Sequence, residues 1–297
     1  MSSYMSQGTK AVIKPPILTI VGFPGAGKTS LAGLFPKPAF IQAEDSRTVF
    51  QNVPEDQQPH FNPMLPKASK KRNISTRQVM LDQLREFVTE QHDFKTLVID
   101  TGTSYNDMIE DEIVEYFPGK TNSIVDAAGG FQKAFDLSAS WHKEVFSACS
   151  VIRDKVGMGI VFLCHTDERR VKNHAELTGD YTVYGMRMNK KCEDIYKVNS
   201  NAVMYLKQLE STRGHVTDDK GRTIKRGKLR MSEDRVLITS SDGMEGFVSA
   251  KNQYDMPQEI SVPKGTNPIL QYIPYYKDYV EKNGLYVSQE QDEAVEE

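Results

Sequence analysis

Short β-branched apolar runs alternate along the chain with segments of helical period, a pattern that predicts an α/β domain. Ile17-Leu18-Thr19-Ile20-Val21 predicts a buried strand, and residues 29–35 a short helix that stops at Pro36. Ala39-Phe40-Ile41-Gln42-Ala43 predicts a second strand, ending in Glu44-Asp45. Residues 50–71 are rich in Pro, Gln and Asn and have no period. They predict a long loop, closed by Lys67, Lys70, Lys71 and Arg72; a solvated cluster and a functional one both fit. Ser75 caps a helix running to about His92, with Val79, Met80, Leu84, Phe87 and Val88 on one face. Residues 95–101 form an apolar run that closes on Asp100. Residues 104–117 predict an acidic helix, ended by Pro118-Gly119. Residues 123–130 are loop-like, with Gly129-Gly130 as a flexible point. A long helix follows over 131–155, with Phe131, Phe135, Trp141, Val145, Phe146, Cys149 and Ile152 as its apolar content. Trp141 reads as core rather than as a ligand contact.

Residues 159–164 predict another strand, which ends in His165-Thr166. Between 167 and 191 the chain turns polar, with Arg169, Arg170, Lys172, Tyr181, Tyr184, Arg187, Lys190 and Lys191. Aromatic faces interleaved with bases suit single-stranded nucleic acid, one for stacking and the other for phosphates. An exposed loop over the sheet fits the same residues. Ala202-Val203-Met204-Tyr205-Leu206 is a further strand. Residues 213–230 are the most basic stretch, with Asp219-Lys220-Gly221 as a hairpin turn. Residues 235–239 and 246–250 predict antiparallel strands around Asp242-Gly243. The expected organisation is a flexible arm (1–16), a core (17–257), a C-terminal segment packed on it (258–287) and an acidic disordered tail (288–297).

The chemistry concentrates in Gly22-Phe23-Pro24-Gly25-Ala26-Gly27-Lys28-Thr29, which fits the phosphate-loop pattern G-x-x-x-x-G-K-[ST]. Glycines let backbone N–H groups turn around a phosphate, and the helix N-terminus adds partial positive charge. Gly22, Pro24, Gly25, Ala26, Gly27, Lys28, Thr29 and Ser30 are therefore the expected nucleotide contacts, and Thr29 is also an expected Mg²⁺ ligand. A chance glycine-rich turn is the bland alternative, against which the flanking strand and helix both speak. Asp100 matches the second nucleotide motif, Walker B. It would bind Mg²⁺ through water, a weak signal alone and a stronger one after a phosphate loop. Glu44 is expected at the end of a strand beside the phosphate-loop strand, where open α/β sheets bind ligands. His165, one strand over from Asp100, fits a γ-phosphate sensor and a structural histidine equally.

Composition narrows the setting. The chain has 297 residues and a net charge of −3. Its last ten residues carry five acids and no base, so the remainder nets +2, compatible with nucleic-acid binding but no argument for it. Cys149, Cys164 and Cys192 are an odd, widely spaced set, which argues against a disulfide framework or a zinc site and for a reducing cytoplasm. No apolar run spans a bilayer, and residues 1–10 lack the apolar centre of a secretory signal.

The order of these motifs resembles the RecA-like ATPases. The closer similarity is to the phage-encoded RecA-like ATPases of the single-strand annealing recombinase group, over about residues 17–257. It rests on the phosphate loop, the Leu97-Val98-Ile99-Asp100 strand and Gly157-Met158-Gly159-Ile160-Val161-Phe162-Leu163-Cys164-His165-Thr166. The resemblance implies a RecA-like P-loop NTPase core of α/β class: a mostly parallel sheet flanked by helices, with late antiparallel β-hairpins. It implies ATP and Mg²⁺ as ligands, Glu44 polarising the attacking water, Asp100 orienting the metal, and His165 coupling phosphate state to a DNA-proximal loop. Arg169, Arg170, Tyr181, Tyr184, Arg187 and Lys190 are its DNA candidates. Relatives also insert a Lys-x-Arg pair from a neighbouring subunit. Here Lys251 stands in that place with Gln253 where Arg is expected, while Lys228-Leu229-Arg230 keeps the spacing but comes earlier.

The implied function is a DNA-stimulated ATPase acting on single-stranded DNA in recombination or annealing. The implied partners are further copies in a ring or filament, and a single-strand binding protein or replication partner; no membrane is implied. The implied location is the bacterial host cytoplasm. A nucleotide-gated loader or mediator with little hydrolysis is the alternative. A small-molecule kinase is weaker, because no arginine cluster is tied to a substrate pocket; residues 167–191 are the nearest candidate for a lid.

Overall fold

The computed structural model describes residues 11–171, 181–213, 216–217, 223–225, 228–240 and 250–284. Its first half comprises β1 (Ile17–Gly22), α1 (Lys28–Ala32), β2 (Pro38–Gln42), β3 (His60–Phe61), α2 (Thr76–Thr89), β4 (Thr96–Asp100), α3 (Gly102–Tyr116) and α4 (Lys133–Lys155). Then come β5 (Gly159–Val171), β6 (Tyr181–Met186), α5 (Lys190–Asn199), β7 (Ala202–Arg213), β8 (Val216–Thr217) and β9 (Thr223–Lys225). The described chain closes with β10 (Lys228–Ile238), β11 (Lys251–Asn252), β12 (Glu259–Ser261) and α6 (Lys277–Asn283).

The main sheet runs in the order β12-β10-β7-β1-β5-β4-β2-β3, with β6 added to β5 and β11 to β7. From β7 to β3 every neighbouring pair is parallel, whereas β10, β11, β12 and β6 run antiparallel to their partners. The expected mostly parallel sheet with late antiparallel strands is therefore the fold of this chain.

The central strands are apolar on both faces because helices or irregular chain cover both. Ile17 and Val21 of β1, Leu97 and Ile99 of β4, and Ile160 and Phe162 of β5 face α2, α3, α4 and α5. The alternate residues Leu18, Ile20, Val98, Val161 and Leu163 face α1 and the C-terminal residues Ile269, Leu270, Ile273, Tyr276 and Val280. Period-two alternation thus divides each strand between two cores. The pins of this scaffold are polar. Ser75 Oγ accepts from Gln78 N at the start of α2, as expected, and Thr101 Oγ1 accepts from Ser104 N at the start of α3. Buried His142 is held between Asn106 Oδ1 (3.2 Å) and the Tyr196 hydroxyl (3.1 Å), and burial pushes its pKa down to about 3.

Several expectations change. The 50–71 loop contains β3, which lengthens the sheet beyond β2 through backbone bonds, and the three-residue 3₁₀ turns Glu55–Gln57 and, at its close, Lys70–Arg72. Phe131 stands outside α4 at φ 52°, 95 % exposed, because the helix starts only at Lys133. Val88 lies on the solvent side of α2, which ends at Thr89. The described residues of 167–191 are largely regular: β5 continues past His165 to Val171 and pairs with β6, and α5 begins at Lys190. The expected turns at 219–221 and 242–243, the strand at 246–249, and the acidic tail lie outside the described residues. Among the described residues, no helix is long and apolar enough to cross a membrane. The three cysteines are free and buried.

Candidate nucleotide-binding site

The phosphate loop leaves β1 at Gly22, where a Cβ would lie 2.5 Å from the Leu206 carbonyl oxygen of β7. Gly25 and Gly27 have φ of +82° and +88°, a region that side chains rarely enter, and Gly27 is the N-cap of α1. The helix therefore begins at Lys28, with its first N–H groups turned into the loop. Lys28 is buried. Its Nζ donates to the carbonyls of Gly22 and Phe23, each at 3.0 Å, and lies 3.3 Å from His165 Nδ1. Burial lowers the Lys28 pKa, and the carboxylates of Asp100 and Glu44 oppose that shift.

Asp100 ends β4 in full burial, and the peptide bond after it is cis. Thr29 Oγ1 donates to its Oδ2 at 2.9 Å. Burial raises the Asp100 pKa, opposed by the hydroxyls of Ser46 and Thr29. Asp100 Oδ1 and Ser46 Oγ lie near enough for the hydroxyl to favour the carboxylate, but neither atom makes a hydrogen bond of good geometry among the described residues. A buried carboxylate oxygen without a partner is costly unless something else satisfies it. With the Thr29 hydroxyl beside it, the donor set is all oxygen, which fits a hard divalent cation such as Mg²⁺.

Glu44 reaches the same place by another route than expected. Its strand, β2, is not beside β1: β4 and β5 lie between them. Two chain crossovers insert these strands, and Glu44 is returned toward the loop by backbone bonds from Ala43 N and Glu44 N to the Asp100 carbonyl. Its Oε2 accepts from Ser104 Oγ at 2.8 Å and lies 3.3 Å from His165 Nε2. The His165 hydrogen bond is the main reason its pKa is depressed, with burial opposing and Ser104 assisting. Ser104 in turn receives from Thr101 Oγ1 at 2.8 Å, and Thr103 Oγ1 accepts from His165 N at 3.1 Å. Sequence reasoning missed Thr101, Thr103 and Ser104. The available signal was a hydroxyl-rich helix cap directly after the Walker B aspartate.

The nucleic-acid candidates divide. Arg169 Nη1 donates to Glu193 (2.8 Å) and its Nη2 to the Met186 carbonyl (2.7 Å), while Arg187 pairs with Asp107 at 2.8 Å. Tyr184 stacks on Tyr205 with centroids 5.7 Å apart and meets Phe23 of the phosphate loop edge-on at 5.8 Å. Lys190 is exposed at the start of α5. The side chains of Arg170 and Tyr181, toward the far end of the hairpin, lie outside the described residues. Lys251 Nζ donates to the carbonyls of Lys197 (3.2 Å) and Val198 (2.9 Å) at the C-terminus of α5, and burial lowers its pKa. Gln253 accepts from Asn201 at 2.9 Å. Lys228 and Arg230 pair through the backbone with β7.

Comparison with known proteins gives one family. A profile described as AAA domain matches residues 14–243. No curated protein matches the chain. Among solved structures, the RadB recombinase is similar at 14% identity, over 76% of this chain and 81% of that chain, with a TM-score of 0.39.

Proposed function

The chain belongs to the AAA domain family, and on that premise we propose that it binds and hydrolyses ATP and couples the cycle to single-stranded DNA, in recombination or annealing of the kind phages carry out. One observation carries the reading: Lys28 at the start of α1, Asp100 at the end of β4 and Glu44 just past the end of β2 meet at one end of the parallel strands, linked through His165 and Thr29. A phosphate-binding cation, a metal-directed carboxylate and a carboxylate able to accept a proton are the parts that phosphoryl transfer to water needs.

Thr29 and Asp100 are the residues that would hold Mg²⁺, which supplies charge neutralisation at the phosphates. The loop N–H groups and Lys28 bind the phosphates, and Lys28 exchanges its two carbonyl partners for phosphate oxygens. Glu44 stays ionised through its bonds from His165 and Ser104, and so accepts a proton from water. Lys28 moving toward phosphate withdraws a partner from His165. His165 lies on β5, which continues into the β5–β6 hairpin. Phe23 touches the same hairpin through Tyr184, so nucleotide state has two routes to it. In this reading the hairpin, with Arg170, Tyr181 and Lys190, meets the DNA, and copies of the chain assemble around it.

A second reading has a specific observation in its favour. Lys251, expected to act on a neighbour's nucleotide, is engaged with carbonyls of its own α5. A loader or mediator with slow hydrolysis fits that engagement. The deciding experiment is ATP hydrolysis by the purified protein with and without single-stranded DNA, at two salt concentrations. Salt-sensitive stimulation by DNA supports the recombination ATPase. Turnover indifferent to DNA moves the assignment to the loader.

A further inference from the structure

Arg235 lies on β10 in register opposite Gln208 of β7. Gln208 is two residues beyond Leu206, whose carbonyl borders Gly22, so both stand level with the phosphate loop. The Arg235 guanidinium rests directly on Gly27: a Cβ at that glycine would collide with it. Arg235 is only partly exposed, yet among the described residues its guanidinium has no hydrogen bond or ion pair. Partial burial of a cation without a partner is unfavourable unless an anion arrives.

A cavity of about 410 Å³ opens beside it. Its wall combines Gly27, Ser30 and the cations Arg235 and Lys264 with the apolar Leu34, Val49 and Val53. No carboxylate lines it among the described residues. A ligand with both anionic and apolar parts matches this wall, and the volume suits a nucleoside.

We propose that Arg235 is a ligand of the nucleotide's α- and β-phosphates supplied by the same chain, with the nucleoside in the adjoining cavity. The proposal rests on the nucleotide-binding reading above and adds a cation that neither nucleotide motif contains. A guanidinium presents two N–H donors to a phosphate in fixed geometry, whereas an ammonium offers only a point charge.

The test is fluorescence polarisation with N-methylanthraniloyl-ADP and N-methylanthraniloyl-ATP on the wild-type protein and on the Arg235→Gln, Arg235→Lys and Lys28→Ala variants, with thermal melts of each. The expected result for Arg235→Gln is at least a tenfold loss of affinity for both nucleotides with an unchanged melt, and Arg235→Lys, which keeps the charge but not the paired donors, recovers only part of it. Wild-type affinity in Arg235→Gln overturns the proposal. So does a loss confined to the triphosphate, which would put Arg235 on the γ-phosphate, and so does a lysine variant no better than glutamine, which would make it a base-stacking group. If Lys28→Ala loses binding while Arg235→Gln does not, only this inference falls. If the wild-type protein binds neither nucleotide, the nucleotide reading falls with it.

Discussion

The imidazole of His165 stands between Lys28 and Glu44, with Nδ1 3.3 Å from the ammonium and Nε2 3.3 Å from the carboxylate. The neighbours decide the tautomer. An ammonium only donates, so Nδ1 accepts; a carboxylate only accepts, so Nε2 carries the proton. Lys28 and Glu44 are thus joined through one imidazole ring. His165→Ala should therefore leave nucleotide affinity nearly unchanged but shift the ATP-over-ADP preference of DNA binding by about 0.5–2 kcal/mol. Titration of labelled single-stranded DNA in each nucleotide checks it, and an unchanged preference assigns His165 to structure alone.

Lys28 pays a desolvation cost in the ligand-free protein. Burial holds its folded pKa below the ordinary 10.5, so the cost is full below the folded pKa and disappears above 10.5. Lys28→Met should melt no lower than the parent at pH 7 without nucleotide. It should lose the melting shift that MgATP gives the parent, and lose turnover by about a hundredfold or more. Scanning fluorimetry with and without MgATP reads the first two effects.

Glu44→Gln should keep ATP binding and lower hydrolysis by about 10²- to 10⁴-fold. Filter binding beside a phosphate-release assay separates the two. Unchanged hydrolysis would move the base to another residue, with Asp45 the next carboxylate in the chain.

The same substitution has a signature in acid. The folded pKa of Glu44 is depressed below its ordinary 4.5, chiefly by the His165 hydrogen bond. A depressed carboxylate contributes stability that is present above pH 4.5 and is lost as pH falls through the folded pKa. The parent should melt above Glu44→Gln at pH 6, and the two should converge as pH drops below 4.5. Melts across pH 3–6 test this, and a gap that widens in acid would reverse the sign.

Gly22→Ala places a Cβ 2.5 Å from the Leu206 carbonyl oxygen, a backbone atom of a paired strand. β1 and β7 must separate locally, at a cost of about 1–3 kcal/mol. Gly25→Ala meets no neighbour within 4 Å and bears only the strain of φ +82°, about 1 kcal/mol. Urea unfolding of both variants should rank Gly22→Ala as the more damaging.

What the sequence made legible follows the physics of burial. β1, β4 and β5 read as strands because both faces are covered, so apolar residues run without interruption. The phosphate loop was visible because glycine spacing and the Gly-Lys-Thr ending are local. β3 was hidden because two residues held by backbone bonds leave no apolar signal. α5 was hidden because Cys192, Ile195 and Tyr196 are its only buried apolar side chains, set among charges. Glu44 was expected on a strand beside β1, yet β4 and β5 lie between them, since strand order is a tertiary property. Ser104 lies 60 residues from the carboxylate it bonds, and Arg235 gains its position from strand register alone.

β5 runs for 13 residues, with His165 near its middle. Its first half is clamped between β1 and β4; among the described residues its second half has β6 as its one strand neighbour, and Arg169 ties it to Glu193 of α5. Mechanically it is a rod gripped along one half and held by fewer contacts along the other. The arm from His165 to Val171 is about 20 Å long at 3.3 Å per residue. A bend of about 5° at His165 therefore sweeps its far end through roughly 2 Å, from the strand length alone. Motion at His165 too small to disturb the core becomes, at the hairpin, a displacement comparable to the length of a hydrogen bond.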